Sequence, residues 1–129
     1  MPEIIIFERR PRWGPELERC AQYPAAKSES PAGDRMKVTS IRSLTAVRAA
    51  EFERGTILVL DVSAGVPECL HLLGRLLSEI KRCHVIVMGS SSSHPLEWIF
   101  YEMGTTVYLP DCDHGEQLML VCRRLLPAG

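Results

Sequence analysis

No stretch of this chain approaches the roughly 18 consecutive apolar residues of a membrane-spanning helix. No basic region precedes the first apolar run, Met-Pro-Glu-Ile-Ile-Ile-Phe. A cytoplasmic protein with no membrane segment and no leader is therefore expected. The CxxC pair is missing too. Cys20, Cys69, Cys83, Cys112 and Cys122 are odd in number and widely spaced, which argues for buried reduced thiols and against a disulfide framework or thiolate metal site. Nor is there an excess of charge of one sign: 15 basic and 16 acidic residues leave a net charge of -1. Without a broad cationic field, neither nucleic acid nor anionic lipid is an expected partner. Lysine is scarce beside arginine, a bias that favours bidentate, paired contacts. The Gly-rich turn of a dinucleotide fold is absent after the first apolar run, where Arg9-Arg10-Pro11-Arg12 stands instead, so nucleotide binding is not expected.

What is present fits one domain over residues 1–129, since 46% hydrophobic and 24% charged residues can build a single core. Short apolar runs alternate with helical patterns. Strands are predicted over Glu3–Phe7, Met36–Ile41, Thr56–Val62, His84–Met88 and Thr105–Leu109. Helices are predicted over Pro15–Ala21, Leu44–Arg54 with Ser43 as N-cap and Gly55 as terminator, Val66–Arg82, from Ser93 to Met103, and from His114 or Gly115 to Leu126. In the third of these, Val66, Cys69, Leu70, Leu73, Leu76, Leu77 and Ile80 make one apolar stripe, as on a helix packed against a sheet. Residues 24–35, rich in Pro, Ala, Ser and Gly, read as a loop insertion. Five strands alternating with five helices predict a doubly wound, parallel α/β sandwich of strand order 2-1-3-4-5, its functional rim at the carboxyl ends of the strands.

Three segments carry a family likeness: Ile57-Leu58-Val59-Leu60-Asp61-Val62, Val85-Ile86-Val87-Met88, and Trp98-Ile99-Phe100-Tyr101-Glu102-Met103-Gly104-Thr105-Thr106-Val107-Tyr108-Leu109. In their order and spacing they resemble the receiver domain of two-component response regulators. The likeness covers most of the chain apart from the loop at 24–35. It implies a flavodoxin-like three-layer sandwich. It also implies phosphoryl transfer from a histidine kinase to Asp61, supported by bound Mg²⁺, an acidic pair, a hydroxyl and a lysine.

Those partners depart from the family pattern. The acidic pair falls on Glu8-Arg9, and an arginine supplies no oxygen to Mg²⁺. At about 4 Å and an effective dielectric near 20, a guanidinium and a divalent ion repel by roughly 8 kcal/mol before screening. The hydroxyl position falls on Gly89, or on Ser90 after a one-residue shift. The lysine position falls on Asp111, or on Leu109 if one residue is deleted; neither placement provides a lysine. Electrostatic stabilisation is most of what a protein offers phosphoryl transfer, so the pocket reads as degenerate. An Arg9–Asp61 ion pair is expected in place of the metal.

Other clusters have plain explanations. Gly89 to Ser93 is a loop leading into a helix, with an anion cradle as its alternative use. Asp111-Cys112-Asp113-His114 packs potential ligands too closely in sequence to converge on one ion, and Asp113 suits an N-cap. A Cys112 nucleophile with His114 lacks an orienting third group, and no enzyme is expected. On the helix starting near Ser93, Leu96, Ile99, Phe100 and Met103 form the inward stripe, throwing Trp98 and Tyr101 to other faces. Tyr108 matches the family's fifth-strand aromatic. The resemblance implies an output or dimer surface on the fourth helix, fifth strand and fifth helix. The expectation is a degenerate receiver-like domain that acts by protein–protein interaction through Trp98, Tyr101 and Tyr108, with a homodimer as one form and no cofactor. One alternative is an active receiver using Mg²⁺ and Asp61. The other is a small-ligand or anion binder using Ser90 to Ser93.

Overall fold

Period-two alternation along the strands assigns each side chain to one of two cores. The computed structural model describes residues 3–10, 12–22, 37–41, 56–79, 84–90, 92–111 and 114–125. Its strands are β1 (Glu3–Phe7), β2 (Lys37–Ile41), β3 (Ile57–Asp61), β4 (His84–Gly89) and β5 (Val107–Pro110). They pair in parallel in the order β2-β1-β3-β4-β5, as predicted. The α-helices among the described residues are α1 (Trp13–Gln22), α2 (Val66–Glu79), α3 (Glu97–Glu102) and α4 (Gly115–Leu125). The predicted helix over Leu44–Arg54 and the loop at 24–35 lie outside the described residues, as do Cys112 and Asp113.

Ile4, Ile6, Ile57, Val59, Ile86 and Met88 point to one face of the sheet, where Trp13 and Leu17 of α1 and Leu118, Met119 and Cys122 of α4 cover them. Ile5, Phe7, Leu58, Leu60, Val85, Val87 and Tyr108 point to the other face, beneath Cys69, Leu72 and Leu73 of α2 and Phe100 of α3. Helices on both faces make a three-layer α/β sandwich and explain the near-continuous apolar runs of β1, β3 and β4. Each fully buried aliphatic side chain stabilises it by roughly 1.5–3 kcal/mol. Leu72, outside the predicted stripe of α2, is buried because the sheet is covered by a broader face of the helix, with Cys69 one turn earlier beside it.

Some boundaries move for identifiable reasons. α1 begins at Trp13, two residues before the predicted start, because Glu8 receives the amides of its first turn. The predicted helix from Ser93 to Met103 divides into a 3-10 turn at His94–Leu96 and then α3. Ser93 makes no side-chain capping bond there. β5 starts at Val107 and not Thr105, whose N–H donates to Phe100 O at the end of α3.

The described cysteines behave as buried or half-buried free thiols. Burial pushes Cys69 from its ordinary value near 9 up to about 12, with the Asp61 and Glu68 charges adding to the rise. Burial likewise raises Cys122 to about 12, against smaller opposing effects of a backbone hydrogen bond and Arg123. The folded state therefore holds both protons more tightly than the unfolded chain. This stabilisation is complete below about pH 9 and is lost as pH rises toward 12. Native Cys69 and Cys122 are expected to resist a thiol reagent at pH 8 and to react on unfolding, which peptide mapping after timed labelling would show.

Candidate functional site

The carboxyl ends of β3, β4 and β5 meet at a rim fixed by register: Asp61 lies beside Met88, Met88 beside Leu109, and Gly89 beside Pro110. An open cleft of about 460 Å³ is sited there, lined among others by Arg12, Asp61, Ser63, Gly89, Ser90 and Asp111. Asp61 ends β3 and caps the 3-10 turn Val62–Ala64, its Oδ1 accepting from Ser63 N at 2.9 Å. The turn closes at Gly65, whose φ of 120° suits glycine. Cys69 of α2 donates its S–H to the Asp61 carbonyl at 3.5 Å. These contacts hold a carboxylate that is 8% exposed at the cleft wall.

Glu8 has a different role from the one its place after β1 implies. Alternation puts it on the Ile4 and Ile6 face, under the start of α1, where it is 0% exposed. Its Oε1 accepts the amides of Arg12 and Trp13, and its Oε2 accepts the amide of Gly14 at 2.9 Å. The carboxylate thus satisfies otherwise orphaned N–H groups and faces the positive end of the helix dipole. It does not line the cleft.

Arg9 is exposed and, unlike Asp61, absent from the cleft wall. The early start of α1 brings a different cation to the rim. Arg12 lines the cleft and stacks on Trp13, 4.5 Å from the ring centroid.

Of the two placements considered after β5, Asp111 is the one at the cleft, whereas Leu109 packs against the α1 and α4 core. Asp111 takes a left-handed φ of 52° and donates its N–H to Gly89 O at 3.0 Å. Two carboxylates therefore share this wall of the molecule.

Tyr108, expected among the interaction residues, is 5% exposed and packs in the core. Its position on β5 turns it toward the α3 side, with its ring 5.8 Å from Phe100. Its hydroxyl lies 2.6 Å from Ser93 Oγ. The ring fills the space above Gly89: a Cβ there would fall 2.1 Å from the Tyr108 hydroxyl oxygen. Ser93 Oγ also accepts Ser90 N at 2.9 Å and lies 3.1 Å from Ser90 O, while Ser90 Oγ pairs with Ser92 Oγ. These groups of the Ser90 to Ser93 loop thus bond to one another.

Trp98 and Tyr101 do reach the surface from α3, being 66% and 45% exposed. Tyr101 Oη accepts the Tyr108 N–H at 3.2 Å, satisfying an amide on edge strand β5.

With this geometry established, comparison with solved structures places the chain in known company. The chemotaxis response regulator CheY4 of Vibrio cholerae superposes with a TM-score of 0.71 at 16% identity, covering 98% of this chain and 99% of that one. The non-phosphorylated HemR receiver domain from Leptospira biflexa gives 0.71 at 16% identity, covering 100% and 97%. The pilus assembly protein CpaE from Caulobacter crescentus gives 0.63 at 18% identity, covering 98% and 94%. The fold is that of receiver domains. No protein-family model and no curated protein sequence matches the chain. Among the described residues no helix is long and apolar enough to cross a membrane.

The sequence identified Asp61, Gly89, Ser90 and Asp111, and the fold brings all four to one rim. It missed Arg12 and Ser63. The signal for Ser63 was its place, because an Asp ending a strand can accept the backbone N–H two residues on in an Asx-turn. The signal for Arg12 depended on knowing where α1 begins.

Proposed function

We propose that this chain is a receiver-like signalling domain that acts by binding another protein, without Mg²⁺-dependent phosphorylation of Asp61. The observation that carries this reading is the engagement of Glu8. Its carboxylate oxygens accept three amides of the α1 start, and freeing them for a metal would orphan those donors. Mg²⁺ demands near-ideal octahedral oxygen coordination. The cleft has Asp61 and Asp111 beside the Arg12 guanidinium, and no group of three potential ligands converges among the described residues. This donor set does not fit Mg²⁺. A phosphoryl group on Asp61 would also face the Asp111 carboxylate where the family pattern has a lysine.

Function then moves to the surface. Exposed Trp98 and Tyr101 lie one turn apart on α3, and aromatic residues of this kind anchor protein interfaces. The same fold serves a chemotaxis response regulator and a pilus assembly protein, which supports a variety of outputs on one scaffold. Titrating beryllofluoride and Mg²⁺ into isotope-labelled protein is expected to leave the amides of Asp61, Ser63 and Gly89 unmoved. A stoichiometric adduct at Asp61 would overturn the reading. Trp98→Ala, at a site too exposed to support the core, is expected to weaken self-association or partner capture at least tenfold with unchanged thermal stability.

A further inference from the structure

We infer that Tyr101 guards the β5 edge of the sheet: its hydroxyl occupies the backbone donor that an added strand would use there, so a partner cannot extend the sheet at β5. β5 ends the strand order β2-β1-β3-β4-β5, and an open strand edge is a template for pairing with another chain. The donors of this edge can be followed one by one. The register runs from Ile86 beside Val107 to Gly89 beside Pro110, and Asp111 donates its N–H to Gly89 O at 3.0 Å. Alternate residues of a parallel ladder turn their amides to the same neighbour, so those of Val107 and Leu109 face β4 as that of Asp111 does. Thr106, just before the strand, donates to Val85 O at 2.8 Å. The backbone of Tyr108 and Pro110 turns to the open edge instead. Pro110 has no N–H to give, and the Tyr108 N–H donates to Tyr101 Oη at 3.2 Å. From Thr106 to Asp111 no backbone donor is left for another chain. Outward carbonyls alone cannot build a ladder, which needs donors and acceptors from both strands. The same bond ties the half-exposed ring of Tyr101 to the backbone of β5. Phenylalanine would keep the ring and release the donor. The guard acts on the backbone of β5 whatever the state of Asp61 and whatever Trp98 contacts.

The test is amide hydrogen exchange, read by NMR on the full chain and on Tyr101→Phe. Relative to the Leu109 amide as internal control, the Tyr108 amide is expected to exchange roughly tenfold faster in the variant. Equal relative rates in the two proteins would overturn the inference. So would protection of the Tyr108 amide that rises with concentration in the unsubstituted chain, since the edge would then pair as it stands. Tyr101→Phe combined with Pro110→Ala offers outward donors at two alternate positions, the spacing of a ladder. In a Trp98→Ala background, where that aromatic contributes nothing to association, the combined variant is expected to self-associate in sedimentation at concentrations where Trp98→Ala alone stays monomeric. Its amides at positions 108 and 110 are expected to gain protection as concentration rises. Sedimentation equal to that of Trp98→Ala alone would show that these donors are not what keeps the edge unpaired, and would overturn the guarding role.

Discussion

Replacing Glu8 by alanine is expected to lower the unfolding free energy by about 4 kcal/mol, the largest loss for any single polar side chain described above. Three helix-start amides lose their acceptor at once, and the side chain that held them is fully buried, so water has no ready route in. Each orphaned donor costs roughly 1–3 kcal/mol, partly relieved if the first turn of α1 frays. Loss of a negative charge at a helix N-terminus adds about 0.5 kcal/mol or more. For a chain of this size the melting temperature is expected to fall by about 15 °C. Glu8→Gln keeps one acceptor oxygen but turns an NH₂ group toward a donor, and about 2 kcal/mol is expected for it. Urea unfolding followed by circular dichroism measures both. A loss below about 1 kcal/mol in Glu8→Ala would mean that the carboxylate is free to serve elsewhere.

The second large effect is expected at Gly89. A methyl group there falls 2.1 Å from the Tyr108 hydroxyl oxygen and 2.2 Å from its ring carbon Cζ, so the ring must leave its place. Leaving also breaks the contact with Ser93 Oγ and the packing on Phe100. Overpacking of a filled core costs roughly 1–3 kcal/mol, and Gly89→Ala is expected at about 3 kcal/mol. A serine, which would restore a hydroxyl at that position, is expected to cost at least as much. The mechanism has its own signature. If steric conflict with Tyr108 is the cause, Gly89→Ala and Tyr108→Ala together lose less than the sum of the two changes, by about 1 kcal/mol or more. Strict additivity would show that something other than the ring opposes the methyl group.

Local signals made much of the fold legible. The apolar run Ile4-Ile5-Ile6-Phe7 follows the polar Glu3 and gives way to Glu8-Arg9, which predicts β1 with its observed ends. The strand order followed from alternation of strands with helices. Phe100 fixes the inward face of α3 and so predicts Trp98 outward, and the exposures agree. What stayed hidden depended on distant partners. Glu8 as a helix cap required the start of α1 at Trp13, and the predicted start at Pro15 left the carboxylate without amides to receive. Tyr108 is buried because a glycine on the neighbouring strand leaves room for its ring, a relation across 19 positions that no local pattern encodes. Ser93 looked like an N-cap by type and position, yet its hydroxyl serves the loop and Tyr108. Asp61 stands at the carboxyl end of β3 on the cleft wall, where the resemblance expects it.

Intact-mass spectrometry of the full chain incubated with Mg²⁺ and a small-molecule phosphodonor, alongside Asp61→Asn, tests the central claim most directly. The account predicts that the mass of the unsubstituted protein stays unchanged, as in the variant. Stoichiometric addition of one phosphoryl group that requires Mg²⁺ and disappears in Asp61→Asn would contradict it.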